Sequence, residues 1–377
     1  KYKIKSMMHI CYLTGLYSRK DPLIFDRQGK ALAMAGYKVT IVVCDLEPNE
    51  TIDGIEFISC NYKPCSRIER MLNTKKFLYR KALMINADVY QISDPELLSL
   101  GVKLKHKGYK VVFNLREFYP GIIHDKAYLP KMARNVIAVL MEKYLKSSLK
   151  KYNAVFTVTD DTDNRLEKWG IKNHYVIKNF PVVSSRFTLS KEEYLSRKNV
   201  LGYIGTVYWI SCQKEVLKAL AELPDIKYYV AGVIEEGYVD VLETFPNWKN
   251  VDFAGPFKKE EISTVFSKMT ISNTLRDFSR TGSPNGSFGV LKIFESMEAG
   301  LPVLLSDVKC YREIVEKYNC GICVDPHNSQ QIKEAIQYLV ENKEMAYQMG
   351  QNGRRAVLEE YNWESQAKLY IEVLTNI

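Results

Sequence analysis

The sequence predicts an α/β protein of two doubly wound domains in series, and three observations carry that expectation. Short apolar runs alternate with longer amphipathic stretches from residue 9 to residue 177. The alternation starts again at 199, after the segment Lys178-Asn-Phe-Pro-Val-Val-Ser-Ser, which has no clear period and suits a linker. A chain of 377 residues is also too long for one hydrophobic core.

In the first half, strands are expected at 9–13, 38–44, 55–59, 89–92, 110–114, 154–158 and 174–177. Their near-continuous apolar character is that of strands buried on both faces of a parallel sheet. Helices are expected between them, at 26–35 where Gly36 supplies the stop, and at 67–85, 95–107, 129–150 and 161–169. Asp94 before Pro95 reads as the N-cap of the third of these. The second half repeats the pattern with strands at 199–204, 227–231, 251–253, 269–272, 303–305 and 321–324. An amphipathic helix, Tyr361-Asn-Trp-Glu-Ser-Gln-Ala-Lys-Leu-Tyr-Ile-Glu-Val-Leu, closes the chain. The expected division is therefore 1–181, 182–360 and a final helical segment 361–377, with ligand bound at the carboxyl ends of the strands.

Apolar residues make up 46% and charged residues 26%, as in ordinary globular proteins. No apolar run approaches the ~20 residues that span a bilayer. The basic-then-apolar start is short and leads into a glycine turn, so the expectation is a cytoplasmic protein, not a secreted one. Eight scattered cysteines fit reduced thiols, and Cys320-Gly-Ile-Cys323 lacks the second pair a zinc site needs, so no metal is expected there.

Charge is unevenly divided. Residues 1–185 hold 31 Lys and Arg against 18 Asp and Glu, whereas the remainder holds 22 against 26. An anionic partner for the first half is implied. Its cations gather in residues 63–81 and 131–151, the second with Met132, Val136, Ile137, Val139, Leu140 and Leu145 interleaved. Two readings stay open: the apolar residues face the core and the lysines are solvated, or the stretch lies on an anionic membrane surface. Nucleic acid would use the same charge, but no nucleic-acid module is present, and none is expected as partner.

Residues 283–307 carry the chemistry. A small-residue loop with Gly286 and Gly289 runs into a short helix holding Lys292 and Glu295, Gly300 ends it, and an apolar strand follows. Helix-start amides reached closely past glycine, with a lysine beside them, make an anion site. A carboxylate one turn on adds an acceptor for ribose hydroxyls, so the layout suits a nucleotide diphosphate. A plain surface helix with a Lys–Glu pair explains the two charges but not the whole frame.

That stretch resembles the donor-binding segment of the family 4 retaining glycosyltransferases, which have the GT-B fold. Phe288-Gly289, Glu295-Ser296-Met297, Ala299-Gly300 and Pro302-Val303 match the family frame, and Ser283-Pro284 with Lys292-Ile293-Phe294-Glu295 matches its bacterial form. Ser287 stands at the first signature Glu. The resemblance implies two Rossmann-like domains facing across a cleft and a last helix crossing back onto the first. It implies that Glu295 binds the donor ribose and that the amides of Phe288, Gly289, Val290 and Leu291 lie near the sugar and distal phosphate. Lys292, Glu295 and Ser287 are thus the catalytic candidates. Gly205-Thr206 stands where the family has Gly-Arg, so Arg276 or Arg280 is a candidate for the missing cation, and Lys214 for the displaced family lysine.

In the first half, Gly15, Arg19, Lys20 and Asp21 follow the first strand, where the family's glycine-rich loop approaches donor and acceptor. Gln91 and Ser93 replace family histidines ahead of Asp94, and Arg116 replaces another ahead of Glu117. Gly15, Arg19, Asp94, Arg116 and Glu117 are the acceptor-side candidates, and His124 is a loop histidine in reach of acid–base work. The implied function is transfer of a sugar from a nucleotide diphosphate to a saccharide, preferably lipid-linked and destined for an envelope glycan, at the cytoplasmic membrane face. Configuration would be retained, with neither cofactor nor obligatory metal. The competing readings are a GT-B protein that binds without transfer and a nucleotide-sugar epimerase.

Overall fold

The computed structural model describes residues 7–124, 130–184, 186–279 and 284–377. They form two compact units, Lys1–Asn179 with Glu364–Ile377, and Phe180–Trp363. Arg280 and Ser283 lie outside the described residues, as does the side chain of His124.

The first unit is built on an eight-stranded sheet in the order β3-β4-β2-β1-β5-β6-β7-β8. Its strands are β1 His9–Thr14, β2 Lys38–Val43, β3 Glu50–Ile52, β4 Ile55–Ser59, β5 Val89–Ile92, β6 Lys110–Leu115, β7 Ala154–Thr157 and β8 His174–Val176. All pairs are parallel except β3 with β4. β1 is central, with Ile10 paired to Val39 on one side and to Val89 on the other. Helices Arg67–Ile85, Leu98–His106 and Lys131–Leu149 share one core against the sheet, through Leu78, Leu104, Leu145 and Leu149 among others.

Three features depart from the sequence expectation. The helix foreseen at 26–35 starts earlier, as a π-type segment Pro22–Gly29 running into Lys30–Met34. Asp21 caps it by accepting from the Leu23 and Ile24 amides, with Pro22 at the first position. Gly29 permits the wide turn, because a Cβ there would lie 2.8 Å from the Ile24 carbonyl oxygen. Strand β3 was not foreseen, being three residues long with a polar start at a sheet edge. In Lys131–Leu149 only Ala138, Leu145 and Leu149 reach the core, whereas Met132, Val136, Ile137, Val139 and Leu140 are exposed. The reading that sends those residues inward is therefore corrected.

The closing helix Trp363–Asn376 belongs to the first unit from Glu364 onward. Tyr370 anchors it: its hydroxyl is 2.6 Å from the Tyr12 hydroxyl and donates to Gln91 Oε1 at 2.6 Å. The polar chain continues, since Gln91 Nε2 donates to Gln28 Oε1 and so does Asn114 Nδ2, each at 2.9 Å. Every member is buried, so these bonds replace the water each group gives up.

The second unit has a six-stranded parallel sheet in the order β11-β10-β9-β12-β13-β14. Its strands are β9 Val200–Ile204, β10 Lys227–Ala231, β11 Asp252–Gly255, β12 Ile271–Asn273, β13 Val303–Ser306 and β14 Gly321–Val324. Helix Leu291–Glu298 enters β13 through a tight stop. Gly300 takes φ +75°, its N–H bonds the Met297 carbonyl at 3.0 Å, and Leu301 N–H bonds the Ser296 carbonyl at 3.2 Å. That two-bond pattern is the left-handed helix stop a glycine makes cheaply.

Candidate functional site

In the second unit the carboxyl edge of the sheet gathers the loop after β9, the loop after β12 and the start of helix Leu291–Glu298. Gly205 leaves β9 at φ +120°, and its Cβ position lies 4.0 Å from Lys292 Cδ. Lys292 Nζ sits 3.9 Å from the centre of the Tyr203 ring, and the Tyr203 hydroxyl donates to the Thr206 carbonyl at 2.7 Å. The aromatic face steadies the ammonium, and the tyrosine fixes the turn beside it. Thr206 itself is exposed.

Arg276 comes from the loop after β12. Ser306 on β13 holds its backbone on both sides, accepting from the Arg276 amide at 2.8 Å and donating to its carbonyl at 2.8 Å. Its guanidinium donates to the Tyr208 hydroxyl at 2.9 Å. Among the described residues no carboxylate lies within ion-pairing distance of Lys292 or Arg276. Burial, with Arg276 as a neighbouring like charge, pulls the Lys292 ammonium down to about 7. Two neighbouring cations with no counter-ion among the described residues favour an anion beside them at the Gly205 turn.

The helix start faces the same place. Val290 is its N-cap and supplies no side-chain cap bond, which leaves first-turn amides for a ligand. Ser287 Oγ accepts from Gly289 N at 3.0 Å and the Ser287 carbonyl accepts from the Tyr311 hydroxyl at 2.9 Å, so Ser287 shapes the turn. The Phe288 ring packs with Phe294 and Tyr361, at centroid distances of 6.2 and 6.1 Å. Gly286 has a reason other than ligand approach: at φ +91° its Cβ would meet Cys310 Sγ at 2.4 Å. Glu295 is half-buried one turn beyond Lys292. Lys214 is exposed in the first turn of Gln213–Ala221.

Sequence reasoning missed Glu298. It is buried, accepts from the Ser184 amide at 2.6 Å, and burial pushes its carboxyl up to about 7. The available signal was an acidic residue between Met297 and Ala299, two positions the family frame matches. Cys320 is a core thiol and Cys323 is half-buried.

The first unit revises several acceptor-side candidates. The five N–H donors of Arg19 all meet acceptors: Asp45 through both oxygens at 2.7 and 3.1 Å, Glu50 at 2.9 Å, and the Pro48 and Glu47 carbonyls. It is a buried clamp on the chain after β2, not a group facing acceptor. Asp94 stands at the N-cap position but caps nothing. Its fully buried carboxylate instead accepts from Thr14 Oγ1 at 3.0 Å, Gly15 N at 2.7 Å and Leu16 N at 2.9 Å. Burial outweighs those bonds and pushes the carboxyl up to about 7.

Gly15 is fixed from its other side too, because a Cβ would meet Thr74 Cγ2 at 2.3 Å. Arg116 Nη1 donates to both oxygens of Asp21 at 3.1 Å, with the guanidinium 4.1 Å over the Tyr17 ring. Glu117 is exposed beside it. Gln91, at a family histidine position, is buried in the chain to Tyr370 and faces no solvent.

A model of the family described as "Glycosyl transferases group 1" matches residues 186–356, and one described as "Glycosyltransferase Family 4" matches residues 25–180. Between them the two matches run through most of the chain. The chain belongs to the group 1 glycosyltransferases. Its two parallel-sheet domains are those of the GT-B fold, as in the sucrose-phosphate synthase of Thermosynechococcus elongatus (TM-score 0.74, 17% identity, 98% of this chain and 100% of that one). The Anabaena protein HepE, solved with UDP-glucose, superposes with TM-score 0.66 at 15% identity over 98% of this chain and 100% of that one.

Among curated proteins, the poly(ribitol-phosphate) alpha-N-acetylglucosaminyltransferase of Staphylococcus aureus is 23% identical over 247 residues, 62% of this chain. The match spans 46% of that relative's length. No helix among the described residues of this glycosyltransferase is long and apolar enough to cross a membrane.

Proposed function

We propose that this group 1 glycosyltransferase moves a sugar from a nucleotide diphosphate to a saccharide acceptor with retention of configuration and without an obligatory metal. The observation that carries the reading is the Lys292–Arg276 pair, two cations with no counter-ion among the described residues, set against the Gly205 turn and a helix start with no side-chain cap. That arrangement suits a departing diphosphate. Lys292, Arg276 and the amides of Phe288, Val290 and Leu291 would take the charge that a metal carries elsewhere, the Gly289 amide being held by Ser287 Oγ, and Glu295 would hold the ribose. The bond from the anomeric carbon to the phosphate oxygen breaks. The acceptor oxygen adds on the same face, and its proton passes to the leaving phosphate.

The acceptor would be taken by the carboxyl edge of the first unit, around Gly15, Tyr17, Arg116 and Glu117. Asp94 shapes that edge by holding the Gly15 and Leu16 amides. A UDP-linked donor is the first to try, since HepE was solved with UDP-glucose. A lipid-linked saccharide at the cytoplasmic membrane face, in envelope polysaccharide synthesis, is the preferred acceptor.

The test is release of nucleoside diphosphate from a panel of nucleotide sugars, with and without lipid-linked saccharides, followed by proton NMR of the product's anomeric signal. Acceptor-dependent release with an α product from an α donor is expected. Donor isomerisation without an acceptor would favour an epimerase, and donor binding with no release would favour a protein that binds only.

A further inference from the structure

Helices in parallel crossovers start at the carboxyl edge of their sheet, so the first turns of Arg67–Ile85 and Lys131–Leu149 emerge on the same edge of the first unit. From those starts, both carry large apolar residues into solvent along their first two to three turns. Ile68 and Leu72 are 71% and 72% exposed, and Met132, Val136 and Leu140 are 86%, 60% and 60% exposed. Positions 132, 136, 139 and 140 form one stripe at helical spacing, turned away from the core residues Ala138, Leu145 and Leu149 of the same helix. Exposed cations flank the apolar residues: Arg67, Lys76 and Arg80 on the first helix, and Lys143 and Lys150 on the second.

Scattered exposed apolar residues need no explanation, but two stripes at one edge, each bordered by cations, do. Duplex nucleic acid presents phosphates and gives Val136 and Leu140 nothing to bury against. A second copy of this chain would bring cations against like cations. An anionic bilayer answers both features, with acyl chains under the apolar residues and headgroups at the lysines.

We infer that the carboxyl edge of the first unit is a docking surface for an anionic lipid bilayer. The stripe Met132–Val136–Leu140 enters the acyl boundary, and Ile68 and Leu72 form a second contact. This inference rests on exposure and charge in the first unit and stands independently of the donor site.

The test is co-sedimentation of the full chain with vesicles of phosphatidylcholine alone or mixed with phosphatidylglycerol. Thermal midpoints with and without a nucleoside diphosphate are taken on the same samples, so failure of membrane docking and failure of the donor reading separate cleanly. Binding to the mixed vesicles and not to phosphatidylcholine is expected. Val136→Asp with Leu140→Asp should weaken it more than tenfold at an unchanged thermal midpoint. Lys76→Glu and Lys143→Glu should each weaken it about fivefold or more. Three results would each overturn the inference: no binding to anionic vesicles, binding untouched by the Asp pair, or a solution dimer that the Asp pair turns into monomer.

Discussion

Burial holds the Lys292 ammonium down to about 7 before any ligand arrives, with Arg276 pushing the same way. A bound diphosphate reverses that, because an adjacent anion favours the charged lysine. Binding then takes up a proton above pH 7, so affinity should hold level just below pH 7 and fall by up to about tenfold per unit above it. Titration calorimetry at pH 6.5, 7.5 and 8.5 checks this, and Lys292→Met should bind weakly with that slope gone. Arg19 supplies the opposite case. Arg19→Met strands the buried end of Asp45 and should cost about 2–4 kcal/mol in urea unfolding, which an acceptor-facing arginine would not.

At the same scale, Lys292 was legible because its frame is local in sequence. The Tyr203 ring beneath it was not, because that contact joins two strand–helix units far apart along the chain. Asp94 was misread for a related reason. Asp-Pro is a strong local helix-start signal, whereas the amides that claim its carboxylate belong to the distant loop after β1.

Helix ends and exposed stripes belong to the scale of elements. The stop at Gly300 was readable from sequence, and Gly300→Ala should cost about 1 kcal/mol in thermal unfolding, because φ +75° strains any side chain. Gly286→Ala should cost more than Gly300→Ala, since its Cβ meets both Cys310 and Val308 besides taking φ +91°. The Pro22–Gly29 segment was harder to place. Its apolar residues fit a helix from 26 onward, but Asp21 caps earlier and the turn widens, a choice made by packing rather than by local propensity. Likewise, periodicity located the helix at 131–149 correctly but could not say which side of it met the core. Two apolar faces compete for one sheet, and only the topology decides between them.

For the whole molecule, the doubled α/β organisation was legible because strands buried on both faces and glycine stops repeat through both halves. The surplus of cations in residues 1–185 and their deficit beyond it also belong to this scale, since long-range charge governs what is attracted rather than how the chain folds. Membership of the group 1 glycosyltransferases places the chain among sugar-transferring enzymes, and the site in the second unit is where the proposed donor would bind. The central claim is that this site takes a nucleoside diphosphate through Lys292 and Arg276, with Glu295 on the ribose. The direct measurement is thermal unfolding with UDP, GDP, CDP, ADP and dTDP, on the wild type, Lys292→Met and Glu295→Ala. A ligand at ~100 times its dissociation constant adds about 2.7 kcal/mol, a midpoint rise of a few degrees. The prediction is one diphosphate that raises the wild-type midpoint and leaves both variants unmoved; no rise with any of the five, or an equal rise in both variants, would contradict it.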